Sequence, residues 1–199
     1  GKPGDGHRGR ATVAIRADGE TIVSGGVYGT VRLWDRAGQP LESFLSGHQD
    51  GVYSVVVAPG GETIVSGGND GTVRFWDRAG QPLGSPLTGH QGWVTVAVSA
   101  DGETIVSGGE DGTVRLWDRA GQPRGRPREG HQGWAIAAVG GEEEKIIVSG
   151  GEDWTMLICD CAGHHRGAPV EVHSHIATVG CVTTRGTHRS GPVFSSRCS

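Results

Sequence analysis

One eight-residue segment constrains the whole chain: GETIVSGG occurs at 19–26, 61–68 and 102–109 and returns as EKIIVSGG at 144–151. Its serines, Ser24, Ser66, Ser107 and Ser149, stand 42, 41 and 42 residues apart. Two further markers keep the same beat. Trp-Asp recurs at Trp34, Trp76 and Trp117, with Cys159-Asp160 in the fourth place; Gly-His recurs at His7, His48, His90 and His131, with Val172-His173 in the fifth. A period of this length means stacked supersecondary units, each needing its neighbour to bury an apolar face.

Within a period the pattern reads as strands. Trp93–Ser99 alternates side chains between His-Gln-Gly and Ala-Asp-Gly, Glu103–Ser107 is a second run and Thr113–Trp117 a third. The Gly108–Gly112 link carries the Asp-Gly signal of a tight hairpin. After Trp117-Asp118 the run Arg-Ala-Gly-Gln-Pro turns the chain into a short fourth strand ending at Gly130-His131. Each period therefore predicts one four-stranded antiparallel sheet. The expected units are about 8–47, 49–89, 91–130 and 132–172, with 174–199 a degenerate fifth repeat or a disordered tail.

Composition narrows the function. Net charge is −4, with 18 basic and 22 acidic residues interspersed, which offers no footprint for a nucleic-acid backbone or an anionic membrane. No apolar run long enough to span a bilayer and no signal peptide is visible. All four cysteines fall after residue 158, so the repeats need no disulfide, and a reducing, cytoplasmic setting is expected. Met156 is the sole methionine, which suggests a fragment or a processed piece.

A 41- or 42-residue period opened by Gly-His, turned by Asp-Gly and closed by Trp-Asp resembles the WD40 family, over residues 6 to about 173. The resemblance implies an all-β fold, a β-propeller with four recognisable four-stranded blades plus a degenerate fifth. It also implies a hydrogen-bonded set of four side chains tying each blade: His48, Ser66, Asp70 and Trp76 in the second repeat, and His90, Ser107, Asp111 and Trp117 in the third. The first has His7, Ser24 and Trp34 but Tyr28 in place of Asp; the fourth has His131, Ser149 and Asp153 but Cys159 in place of Trp.

Family members commonly bind protein partners on the top face, built from the connections between sheets and the turns between second and third strands. By resemblance that face comprises Arg10, Tyr53, Trp93 and Trp134 with Asn69, Glu110 and Glu152. The implied function is a non-catalytic scaffold for protein–protein interaction, without cofactor; the alternative is a multivalent small-ligand or glycan binder using repeated pockets between blades. Packing of Trp93 and Trp134 between neighbouring blades is the structural alternative to their exposure.

Other chemistry fits less well. Ser, His and Asp recur in every period beside a Trp, whereas an active site is normally built once, so the trio reads as a brace and not a triad. The Gly67–Gly71 cluster joins two strands and lacks the following helix and GK[ST] of a phosphate cradle. Arg124, Arg126 and Arg128, beside Glu129, read as a solvated edge. Cys159, Cys161, His164, His165, His173, His175, Cys181, His188 and Cys198 crowd the C-terminal end, but their spacing matches no familiar zinc finger, and no metal is expected.

The tail suggests decay. Where another DGETIVSG is due, the chain reads Arg185-Gly186-Thr187-His188-Arg189-Ser190-Gly191, and plausible codons for the expected segment, read from the third base, reproduce five of those seven residues. A frameshift would make residues from about 182 onward a sequence never selected to fold. Residues 62–82 and 103–123 differ only at Asn69 against Glu110 and Phe75 against Leu116, which indicates recent duplication. Four blades and a damaged fifth are fewer than this family commonly closes into a ring. Completion by a longer protein or by self-association is therefore expected.

Overall fold

The computed structural model describes residue 7 and residues 9–141, 146–160 and 164–172. These residues form strands and turns throughout, and no helix among them is long and apolar enough to cross a membrane. Four antiparallel sheets follow one another along the chain. The first comprises β1 (Ala11–Ile15), β2 (Thr21–Gly26), β3 (Thr30–Asp35) and β4 (Pro40–Ser46), paired in that order. The second comprises β5 (Val52–Val57), β6 (Thr63–Gly68), β7 (Val73–Asp77) and β8 (Pro82–Leu87).

In the third sheet only β9 (Val94–Val98), β10 (Thr104–Gly109) and β11 (Val114–Asp118) are full strands. The expected fourth strand is reduced to two isolated bridges, Val114 with Arg128 and Trp117 with Pro123. Pro123, Gly125 and Pro127 do not explain the difference, because β8 keeps its pairing with Pro82, Gly84 and Pro86 at the same places. What differs is that Arg124, Arg126 and Arg128 replace Leu83, Ser85 and Leu87. The fourth sheet comprises β12 (Ala135–Gly140), β13 (Ile146–Gly151), β14 (Thr155–Asp160) and the two-residue β15 (Val170–Glu171).

The core lies between sheets. Val23, Val31, Leu33 and Leu45 of the first pack against Val52, Val55, Ile64 and Trp76 of the second. Val65, Val73 and Phe75 of the second meet Val94, Val96, Val98, Ile105 and Trp117 of the third. Val106, Val114 and Leu116 of the third meet Ala135, Ala137, Val139, Ile147 and Cys159 of the fourth. The second and third sheets thus each offer one apolar face backward and one forward, as propeller blades do.

The first blade breaks this rule on its backward face. Val13 and Ile15 are 66% and 65% exposed, whereas Val96 and Val98, at the same register in the third blade, are each 9% exposed.

The SGG segment sets how closely the sheets approach. A Cβ on Gly67 would run into the carbonyl oxygen of Val94 in the next sheet, and one on Gly108 would lie 2.5 Å from that of Ala135. A Cβ on the following glycine, Gly68 or Gly109, would strike the imidazole of His48 or His90 in its own sheet. The first glycine therefore admits the neighbouring blade, and the second seats the histidine.

A third position departs from the repeat in the fourth blade. Gly71 and Gly112 hold φ of 74° and 73°, and a Cβ on either would press on the carbonyl of His90 or His131 at 2.5 and 2.6 Å. Trp154 stands at the same place with φ of 63°, the one non-glycine residue at positive φ among those described.

Candidate functional site: the braces and the top face

Two groups of polar and aromatic side chains repeat from blade to blade, and they share no residue. The first lies inside each sheet. In the second blade the indole N–H of Trp76 donates to Ser66 Oγ at 2.8 Å, Ser66 Oγ lies 2.8 Å from His48 Nε2, and His48 Nδ1 lies 3.0 Å from Asp70 Oδ1. One assignment satisfies every atom: Trp76 donates to Ser66, the serine hydroxyl donates to Nε2, and a neutral imidazole donates from Nδ1 to the carboxylate. The backbone N–H of Gln49 and the hydroxyl of Thr72 also donate to Asp70, at 2.9 and 2.7 Å.

The third blade repeats the arrangement. Trp117 donates to Ser107 at 2.9 Å, Ser107 lies 2.8 Å from His90 Nε2, and His90 Nδ1 is 3.1 Å from Asp111.

The outer blades hold partial versions. In the first, Trp34 donates to Ser24 at 2.7 Å and His7 Nε2 lies 2.8 Å from Ser24, but Tyr28 points into solvent and His7 Nδ1 has Thr30 Oγ1 at 3.4 Å. In the fourth, His131 lies 2.9 Å from Ser149 and 3.2 Å from Asp153, and no indole caps the serine. Cys159 is buried instead, its Sγ 3.4 Å from His165 Nδ1, and Leu157 replaces the arginine that precedes Trp76 and Trp117 by two positions.

Burial pushes the His48 and His90 imidazoles below their ordinary value of 6.5, against the pull of Asp70 and Asp111, and it lowers His7 as well. Burial raises the carboxyls of Asp70 and Asp111, but the donors around them win and hold both below the usual range. The Thr155 hydroxyl, the Gln132 and Thr155 amides and His131 outweigh the same burial cost at Asp153 and bring it to about 2.

Depressed values of both kinds mean that the folded chain binds fewer protons than the unfolded one, so stability falls on acidification. The loss begins as pH drops through 6.5, where unfolded histidines charge and folded ones resist, and resumes below 3.8 as carboxyls titrate. A charged imidazole would also turn Nε2 into a donor facing Ser66, which already receives the indole. The urea midpoint is expected to be clearly lower at pH 5.5 than at pH 7.5; an unchanged midpoint would count against neutral braces.

The second group crosses the blades at the top face. The Arg10 guanidinium carbon sits 5.6 Å from the Tyr53 ring centroid. Tyr53 stacks on Trp93 at 5.9 Å and 15°, and Trp93 meets Trp134 at 5.8 Å and 46°. One row of π faces thus runs from the first blade to the fourth. Trp93 and Trp134 are half-buried and Tyr53 is 37% exposed, so the row is partly open to solvent.

Tyr53 reaches this row by an unexpected route. The backbone carbonyls of Trp93 and Trp134 accept from Glu110 and Glu152 N–H at 3.0 and 3.1 Å, and in the second blade the carbonyl of Gly51 accepts from Asn69 N–H at 2.7 Å. Gly51, and not Tyr53, is therefore the counterpart of the two tryptophans. Tyr53 lies within β5 as the extra residue of a bulge between Val52 and Ser54. That residue accounts for the 42-residue step from Ser24 to Ser66, and its ring stands in for the one Gly51 lacks.

Acidic groups flank the row. Glu110 Oε2 accepts from the Trp93 amide at 3.2 Å, and the Glu152 carboxylate lies beside Gly133, next to Trp134. Asp50 accepts from Gly51 N–H and from the Asn69 side chain, each at 2.6 Å, and these two bonds hold its carboxyl below the usual range.

A family model for the WD domain, G-beta repeat, matches residues 4–35, 38–77 and 80–118, more than half of the chain. The chain belongs to the WD40 family. Three of its blades fall within the matched segments; the fourth, with Cys159 for tryptophan and Trp154 for glycine, lies beyond them. A search of curated proteins finds no match to the chain.

WD40 repeats generally serve as scaffolds for protein–protein interaction, and their propellers are typically non-catalytic. Of the C-terminal Cys/His set, Cys159, His164 and His165 lie among the described residues; Cys161, His173, His175, Cys181, His188, Cys198 and the segment read as frameshifted fall outside them. An open cavity of about 350 Å³ lies between the second and third blades at the opposite end from the row, lined in part by Ala58, Phe75, Leu83, Asp101 and Arg119.

Proposed function

We propose that this chain is a non-catalytic scaffold that holds a protein partner on its top face, at Arg10, Tyr53, Asn69, Trp93, Glu110, Trp134 and Glu152. The observation that carries the reading is the unbroken row from Arg10 to Trp134. Large rings held in place by stacking contribute most of the energy of typical interfaces, because little side-chain entropy is lost when they bind. The braces place no serine or histidine on that face, which supports a binding role over a hydrolytic one.

Self-association has separate support in Val13 and Ile15, exposed where the other blades receive a neighbour. A second copy docking there would extend the arc.

One experiment tests both. The full chain in wild-type, Trp134→Ala and Val13→Glu forms is used as bait, with light scattering on each bait. The expected result is loss of the specific partner with Trp134→Ala alone, and loss of dimer mass with Val13→Glu alone. A partner retained by Trp134→Ala sinks the top-face reading, and a monomeric wild-type chain sinks self-association.

A further inference from the structure

We infer that the open cavity between the second and third blades is a binding site for one alkylguanidinium group, because the chain supplies arginines of its own to the matching places at the two flanking junctions. The cavity shares no residue with the docking face, so the two readings stand or fall separately.

The repeat makes the comparison direct. Arg16, Ala58 and Ser99 hold one position, since each backbone N–H donates to the carbonyl of the threonine five residues on, Thr21, Thr63 or Thr104, at 2.9, 2.8 and 2.9 Å. Where the first and second blades meet, Arg16 is 8% exposed, and its stem lies against Gly61: an added Cβ there would be 2.9 Å from both Cγ and Cδ. Where the second and third blades meet, Ala58 has no such stem. Gly102 corresponds to Gly61, and a Cβ on it would meet nothing nearer than Pro59 Cδ at 3.9 Å. The space of about 350 Å³ is lined by these same residues, Ala58, Pro59 and Gly102.

The junction of the third and fourth blades points the same way from the opposite wall. Pro82 pairs with Trp76 and Pro123 with Trp117, so Arg124 takes the place of Leu83. Its Nη1 donates to Thr104 Oγ1 at 3.3 Å, and Thr63, the counterpart of Thr104, lines the cavity. Of the three junctions, only the middle one has an arginine at neither position.

The walls suit both ends of the group. Val65, Phe75, Leu83 and Ile105 offer apolar surface to an aliphatic stem. The Arg16 guanidinium leaves Nε and one Nη without an acceptor, and in its junction the place of Asp101 is held by Gly60. In the cavity Asp101 is present, its Oδ1 fixed by the Ser99 hydroxyl at 2.6 Å and the Glu103 amide at 3.0 Å. A planar guanidinium fork matches a carboxylate held in this way better than an ammonium does. Three of the charged residues around the cavity, Glu62, Asp101 and Glu103, are acidic, and the fourth, Arg119, is already held by Glu103 at 3.2 Å. Charge therefore favours a cationic guest.

The test is a chemical-shift titration of the isotope-labelled full chain with n-butylguanidinium, n-butylammonium, neutral n-butylurea and the blocked tripeptide Gly-Arg-Gly. Butylguanidinium is expected to shift the amides of Gly102 and Glu103 saturably and to bind about fivefold more tightly than butylammonium, with butylurea weaker still. Tighter binding of the tripeptide assigns the guanidinium to a partner chain and weaker binding assigns it to a free small molecule; either supports the site. Ala58→Arg and Leu83→Arg should each weaken butylguanidinium by about tenfold, since a tethered guanidinium competes at high effective concentration. Ala58→Ser, which installs the residue of the third blade, should leave it unchanged.

Leu83 is 43% exposed, so Leu83→Arg decides the matter if Ala58→Arg fails to fold. The proposal is overturned if no saturable shift is seen at Gly102 or Glu103, or if butylammonium or butylurea binds as tightly as butylguanidinium. Wild-type affinity in Leu83→Arg overturns it as well.

Discussion

Replacing Gly67 by alanine is expected to lower the stability of the chain by about 3 kcal/mol. The added methyl would meet the carbonyl oxygen of Val94, a backbone atom of β9 that cannot rotate away. Relief requires the third blade to move off the second, which opens the cluster of Val65, Val73, Phe75, Val94 and Val96. Gly140→Ala is the matched control, since a Cβ there meets nothing within 4 Å and φ is not positive. Its effect should stay within about 0.5 kcal/mol. Urea denaturation of both variants decides the matter. Equal midpoints would show that SGG does not set the distance between blades.

Trp76→Ala should be costlier still. The side chain is 1% exposed, and removing a buried aromatic of that size typically costs about 3–5 kcal/mol. Its loss also leaves Ser66 Oγ without the 2.8 Å indole donor. Trp76→Phe separates the two contributions, because it keeps most of the apolar volume and removes only the N–H. The expected cost of that change is about 1–2 kcal/mol. The same pair at Trp34, half-buried in the first blade, should give smaller values. If Trp34→Ala proves as damaging as Trp76→Ala, the outer brace is stronger than its missing carboxylate implies.

Much of this was legible because the repeat supplies its own checks. Ser66, Trp76 and His48 each recur in register, so one period explains the next, and the blades follow from the same spacing. The top-face tryptophans were also reachable, since the position before each inner strand repeats. Other features depend on single residues that break the pattern. The insertion between His48 and Ser66 has no address in the sequence, and only the register of β5 against β6 puts it at Tyr53. The fourth strand of the third blade is reduced to bridges although it shares its prolines and glycine with β8, and the arginines that set it apart read in the sequence only as a solvated edge. Trp154 stands in the place of Gly71 and Gly112, and only its φ of 63° shows that it keeps the left-handed turn of those glycines. The role of SGG at blade contacts is hidden for another reason: it concerns atoms 27 residues away, Gly67 against Val94.

The braces and the row of rings draw on different residues, and this matters for how such a chain can change. A copied unit arrives with its histidine, serine, carboxylate and tryptophan already matched, so it folds as a blade from the start. Its top positions carry no such duty. The second and third units, nearly identical over 62–82 and 103–123, already differ there at Asn69 and Glu110. Mutation can therefore redraw the docking face one blade at a time, and selection for a new partner need not disturb the folding of the old blades.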